Sequence, residues 1–253
     1  MNLNQARVNL NTILLIAGAL ITGPALAEQA NNRSTETLYL QQCAACHGPD
    51  RLGGMGPALL PENLGRLKKA EAEQVIREGR PATQMAGYKT ILNDQQIAAL
   101  TDFIYQPPSH ELKWGEAEIR SSRDVTHTQG SLPDEPVFEA DLMNLFLVVE
   151  IGDHHVTLLD GDKMEPIHRF PSRFALHGGP KYSPDGRYVY FGSRDGWITK
   201  YDIYNLKVVA EVRAGINMRN IAVSADGNYV LAANYLPHSM VLFDAANLEM
   251  LDF

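Results

Sequence analysis

The stretch SPDGRYVYFGSRDGWITKYD, residues 183–202, decides the fold. Asp185-Gly186 is a tight-turn pair, because glycine reaches the positive φ that a short hairpin needs. Two apolar runs follow, YVYFGS at 188–193 and WITKYD at 197–202. Runs rich in β-branched and aromatic residues, bounded by turn residues, read as strands. The stretch then repeats. SPDGRYV starts at Ser183 and SADGNYV at Ser224, 41 residues on. Asp160, Asp202 and Asp244 close the runs VTLLD, ITKYD and MVLFD at intervals of 42. A period near 40 with several short strands per unit marks a β-propeller blade. Residues 137–253 hold nearly three blades, whereas a closed propeller takes roughly four to eight. Open blade edges seek further strands. The chain also stops at LEMLDF, inside a strand-like run, so a truncated piece of a longer protein is expected.

Upstream of the blades lies CAACH, residues 43–47. This is the attachment signature of c-type haem. Two thiols three residues apart share one face of a helical turn and can both reach the vinyl groups of one porphyrin edge. His47 follows directly, where its imidazole can bind the iron. A thioredoxin-like redox pair would need a βαβ setting, which the sequence does not offer. The second axial ligand is Met55 or Met85. Met55 lies eight residues past His47, a reach of roughly 27 Å with little slack. Met85 lies between two helical patterns, KKAEAEQVIREG closed by Gly79 and a second one capped near Asn93-Asp94. A loop joining two packed helices can cross the far face of a ring, so Met85 is preferred. His/Met ligation raises the haem potential and suits electron transfer.

The N-terminus reads as a signal peptide, residues 1–27: Arg7, an apolar run ILLIAGALI, then ALA before the cut. Its removal makes the formal charge of −8 one unit more negative. No basic surplus exists to neutralise phosphates, which excludes nucleic acid as a partner. No later stretch is long and apolar enough to span a bilayer. The reading is therefore an exported, periplasmic, α plus all-β two-domain protein. A small all-α cytochrome c domain at 28–112 and a linker at 113–136 precede propeller blades at 137–253.

A cytochrome c joined to such blades resembles the cytochrome cd1 family, in which an eight-bladed propeller holds haem d1. CAACHG at 43–48, FALHGGP at 174–180, SPDGRYVYFGSRDG at 183–196 and AGINMRNIAVSADGNYVLAANY at 214–235 carry the resemblance. It spans nearly all of the mature chain. The resemblance implies one covalent haem c and one non-covalent haem d1 or its dihydro precursor. It makes His177 the proximal ligand of the d1 iron, and Arg194 and Arg219 partners of the ring carboxylates. Guanidinium forks suit such carboxylates, and Gly178 and Gly179 would leave room for a flat ring. Arg194 has a competing reading as an ion-pair partner of Asp195 or Asp185, and His154 and His155 are further candidates for the d1 site that read better as solvated turn residues.

RLGGMGPALLPENLGRL at 51–67 and WGEAEIRSSRDV at 114–125 resemble the cofactor-completing branch of the family more than its nitrite reductases. That branch implies an oxidoreductase that turns a propionate of the dihydro precursor into an acrylate and passes electrons to haem c. The alternatives are nitrite reduction to nitric oxide and a non-catalytic d1 carrier. The implied partners are the d1 precursor, a cytochrome cd1 nitrite reductase, other d1 biosynthesis proteins and a small electron-transfer protein. Catalytic residues are expected beyond Phe253.

Overall fold

The computed structural model describes residues 34–109 and 112–253, so the signal-peptide reading at 1–27 lies outside the described residues. The first region is helical: α1 over 34–42, then α2 (Ala44–His47), α3 (Pro61–Leu64), α4 (Lys69–Glu78) and α5 (Asp94–Tyr105). Gly79 ends α4 at φ 80°, and the Asn93 side chain accepts the Gln96 amide to start α5, both as the sequence predicts. Ile97, Leu100, Thr101 and Ile104 line one face of α5, the spacing that buries a helix stripe. They pack with Tyr39, Leu64, Ile76 and Leu92.

The second region is three antiparallel sheets. The first runs β2 (Leu145–Glu150), β3 (His155–Asp160), β4 (Glu165–Pro171). The second contains β5 (Lys181–Tyr182), β6 (Tyr188–Gly192), β7 (Trp197–Asp202) and β8 (Lys207–Arg213). The third contains β9 (Asn217–Val223), β10 (Tyr229–Leu236), β11 (Ser239–Asp244) and β12 (Met250–Asp252). Each sheet is a blade, and from β2 onward the chain completes one sheet before it starts the next.

The 42-residue period has a local cause. Asp160, Asp202 and Asp244 each accept backbone amides two or three residues on, fixing the turn out of the third strand. Met164, Leu206 and Leu248, also 42 apart, take positive φ of 55°, 55° and 58° at the next strand's entry. In the other repeat, Asp185 and Asp226 each accept an amide two residues on, with Gly186 and Gly227 at φ 73° and 74°.

Successive side chains of a strand face opposite ways. Val189 and Phe191 of β6 therefore pack with Val156, Leu158 and Phe170 of the first blade. Tyr190 faces the third blade, among Ile221, Val230 and Phe243. A strand covered on both faces loses polar alternation, which explains the continuous apolar run YVYFG.

The connection at 113–136 carries structure of its own. Helix α6 (Glu116–Ser122) buries Ile119 in the core between the second and third blades. Strand β1 (Asp124–Val125) pairs with β8 and becomes a fifth strand of the second sheet. One apolar residue in a short helix and a two-residue strand leave no period to read.

Candidate functional site: two cofactor positions at one end of the blades

Cys43 precedes α2, and the backbone turns at once: the amides of Cys46 and His47 both bond to Cys43 O, at 3.2 and 2.9 Å. Both thiols are unpaired and partly buried. Burial, then the neighbouring Cys46, pushes the Cys43 thiol up to about 11. His47 is buried, with Nδ1 2.8 Å from the carbonyl of Pro57. A carbonyl can only accept, so Nδ1 carries the proton and Nε2 keeps its lone pair. Burial holds the imidazole below its usual range, in the neutral form a ligand needs. A Cβ at Gly56 would lie 2.6 Å from the His47 ring, so glycine is the residue that fits there.

Met85 sits on the α4–α5 connection, partly exposed, with its carbonyl accepting the Arg80 amide. Three residues on, Tyr88 donates to Gln42 O at 2.8 Å. Burial, then Cys43 and Cys46, raises the Tyr88 hydroxyl, so this loop closes over the thiol edge. Met55 is 57% exposed. Cys43, Cys46 and His47 thus stand together on one turn, and Met85 lies on the loop whose Tyr88 bonds to Gln42 beside them.

His177 stands between β4 and β5. Its amide bonds to Gly192 O at 2.8 Å, and its Nδ1 lies 2.9 Å from Arg219 O. The tautomer follows as for His47, so Nε2 keeps the lone pair, which accepts from Arg219 Nη1 at 3.2 Å. Arg194 is adjacent: its amide bonds to Ala175 O and its carbonyl accepts Met218 N. The three predicted residues therefore form one patch. Arg194 is exposed, and among the described residues no ion pair or side-chain hydrogen bond engages its guanidinium. The competing ion-pair reading is not what the structure shows. Asp195 takes the Ser193 hydroxyl, and Asp185 that of Ser183. Gly178 also has a different reason from the one expected. A Cβ there would fall 2.2 Å from Asn220 Oδ1, so its missing side chain accommodates Asn220. Gly179 is open, with Lys181 Nζ the nearest atom at 4.0 Å.

The two positions share one end of the blades. The β2–β3 and β6–β7 turns, and the exits from β4 and β8, lie at that end because the strands alternate in direction. The helical region docks there. Ile216, after β8, is buried against Ala58 and Leu60. Arg213 donates to Leu52 O, and Gln84 approaches Asp153 O at 3.4 Å. Between the regions lies a cleft of about 560 Å³, bordered by Ala45 and Gln84 on one side and His154, Phe174 and Trp197 on the other. Ala45 lies between the cysteines and Gln84 beside Met85, so the cleft opens onto the edge of the first cofactor position.

Residues 140–253 match the family described as Cytochrome D1 heme domain, and residues 30–104 match Cytochrome C oxidase, cbb3-type, subunit III. The chain is 61% identical over 222 residues to the dihydro-heme d1 dehydrogenase of Pseudomonas aeruginosa (strain PAO1). The alignment covers 88% of this chain and 45% of that protein. This chain belongs to the cytochrome cd1 family. The nitrite reductase of Stutzerimonas stutzeri is 26% identical over 93% of this chain and 46% of its own. The solved structure of the dihydro-heme d1 dehydrogenase NirN in complex with DHE superposes with a TM-score of 0.79 at 61% identity. That superposition covers 86% of this chain and 47% of the other. The chain spans under half the length of these relatives. Among the described residues, no helix of this cd1 protein is long and apolar enough to cross a membrane.

Sequence reasoning missed two interface residues. Arg213 is buried on β8, and its guanidinium lies 4.6 Å from the Trp114 ring. It donates from Nε to Asp195 O and Gly215 O, at 2.8 and 3.1 Å. His154 is not the solvated turn residue expected. Its Nδ1 accepts the Ala175 amide at 3.5 Å, its ring meets Phe174 edge-on at 5.1 Å, and it borders the cleft together with Met55. Its positive φ of 60° is the local oddity, but only the structure displays it.

Asp195 is 3% exposed, and burial pushes its carboxyl up to about 6 despite Ser193, Arg213 and Arg173. A carboxyl raised above its unfolded value of about 4 keeps a proton that the unfolded chain has released. Its contribution is complete below about pH 4 and is lost as pH rises through about 6, amounting to at most about 3 kcal/mol. Asp195→Asn is expected to remove this slope. Urea unfolding of both proteins between about pH 4 and pH 7 reads it, and parallel stability curves would contradict it.

Proposed function

We propose that the protein is a periplasmic oxidoreductase that binds the dihydro precursor of haem d1 and oxidises it to haem d1, using a covalent haem c as the exit for electrons. The region at 28–112 would carry haem c, held through thioether bonds by Cys43 and Cys46 and at its iron by His47 and Met85. The blades at 137–253 hold the precursor, with His177 toward its iron and Arg194 and Arg219 toward its carboxylates. The observation that carries this reading is the docking of the helical region on the end of the blades that bears His177. The 61% identity to a dihydro-heme d1 dehydrogenase supports it.

The protein's own groups divide the work. Pro57 and Arg219 each hold one imidazole through Nδ1, which puts the lone pair on Nε2; at His177 the Arg219 guanidinium donates to that lone pair and would have to give way to a metal. A locked tautomer with a more basic free nitrogen is what outer partners give a ligating histidine. Arg194 and Arg219 orient an anionic ring through paired donors. Turning the propionate into an acrylate breaks two C–H bonds and forms one C=C bond, releasing two protons and two electrons. Bound haem c supplies a one-electron acceptor, so a small electron-transfer protein must collect both electrons in turn. The proton acceptor is proposed to lie in sequence beyond Phe253.

The test is anaerobic incubation of the full-length protein with the dihydro precursor and a soluble oxidant. The acrylate product is expected by mass and absorption. Binding without conversion would favour a carrier, and sustained nitrite consumption a reductase. Serine at both Cys43 and Cys46 is expected to abolish haem staining on a denaturing gel, and retained staining would refute the attachment site.

A further inference from the structure

The loop 52–57 serves two regions at once. On its inner side it holds the first cofactor position: Gly53 and Gly56 donate to His47 O and Cys46 O at 2.9 and 2.8 Å, and Pro57 O receives His47 Nδ1–H. Gly56 lies directly against the imidazole. On its outer side the blades hold it. Arg213 donates to Leu52 O, and His154 borders the same cleft as Met55.

Arg213 is an expensive residue for mere adhesion. Burying a cation costs several kcal/mol unless its donors are satisfied. Its Nε bonds to Asp195 O and Gly215 O, and its stack on Trp114 is fixed because the Trp114 indole donates to Arg213 O at 3.2 Å. The guanidinium is thereby fixed on the blades before it meets Leu52. It spans from the turn carrying Arg194 to the loop carrying Pro57.

We infer that Arg213 is a positioning residue for the c-type iron: from the blades it anchors loop 52–57 and so sets the hydrogen bond between His47 and Pro57. This rests on the reading of His47 as the haem c ligand. That hydrogen bond makes the ligand more basic, and a more basic ligand favours the oxidised iron. A loosened loop weakens the bond and raises the midpoint potential. Simple opening of the interface would do the reverse, because water around the haem edge also favours the oxidised iron's extra charge. The sign of the shift therefore separates positioning from covering.

The test uses full-length protein carrying covalent haem, and needs neither turnover nor a d1-type ligand. Haem staining of the denatured protein separates failure of the haem c reading from failure of this inference. Midpoint potentials are compared for the parent, Arg213→Lys, and His154→Ala, which lies nearer the surface and keeps the test valid if the buried variant misfolds. Exchange of the His47 Nδ1 proton is followed by NMR in the reduced state. Both variants are expected to raise the midpoint and speed this exchange several-fold. An unchanged midpoint with unchanged exchange, or a lowered midpoint, would overturn the inference.

Discussion

His177→Ala is expected to leave the covalent haem of the full-length protein intact and to weaken uptake of the dihydro precursor by more than about a hundredfold. Outer partners of metal ligands are typically worth 10–100-fold, and a direct ligand exceeds that. The argument is geometric. His177 is held by Gly192 O through its amide and by Arg219 O through Nδ1, so its lone-pair nitrogen is fixed in place, and the Arg219 guanidinium that donates to it would have to give way to a ligand. Alanine removes the donor without disturbing the backbone bonds. Added imidazole should restore part of the binding. A titration followed by absorption measures it, and binding within about threefold of the parent would refute the assignment of His177, since tenfold is only about 1.4 kcal/mol.

Gly196→Ala is expected to destabilise the blade region by roughly 3 kcal/mol or more. Gly196 has φ 92°, and a Cβ there would lie 1.8 Å from Gly215 O and 2.4 Å from Gly215 C. Both are backbone atoms, so no side chain can swing aside. Positive φ costs an alanine about 1–2 kcal/mol, and overpacking typically adds 1–3 kcal/mol. The clash falls between the β6–β7 turn and the exit from β8, so it displaces Arg194 and Ile216 together. Denaturant unfolding reads the loss. A change below about 1 kcal/mol would mean that the two turns do not meet as described.

The legibility of this chain follows from how its information is stored. The blades were readable because each turn needs an acceptor and a positive φ at a fixed place, so Asp160, Asp202 and Asp244 recur at one interval. The haem attachment residues were readable because two thioethers and an axial imidazole require neighbouring positions. His177, Arg194 and Arg219 came from resemblance, since residues brought together from separate blades leave no spacing to read. Arg213 escaped altogether, and His154 is named but reads as a solvated turn residue. Each bonds to backbone, and a carbonyl partner such as that of Leu52 leaves no trace in the residue type. Gly178 misled for a related reason: a missing side chain is visible in sequence, but the group that uses the space is not.

The most direct measurement of the central claim is single-turnover mixing without oxygen. Oxidised full-length protein is combined with one equivalent of the dihydro precursor, and the haem c absorption bands are followed. Reduction of haem c in step with appearance of haem d1, lost in His177→Ala, is the predicted result. Haem d1 forming while haem c stays oxidised, or haem c reduction proceeding unchanged without His177, would contradict the account.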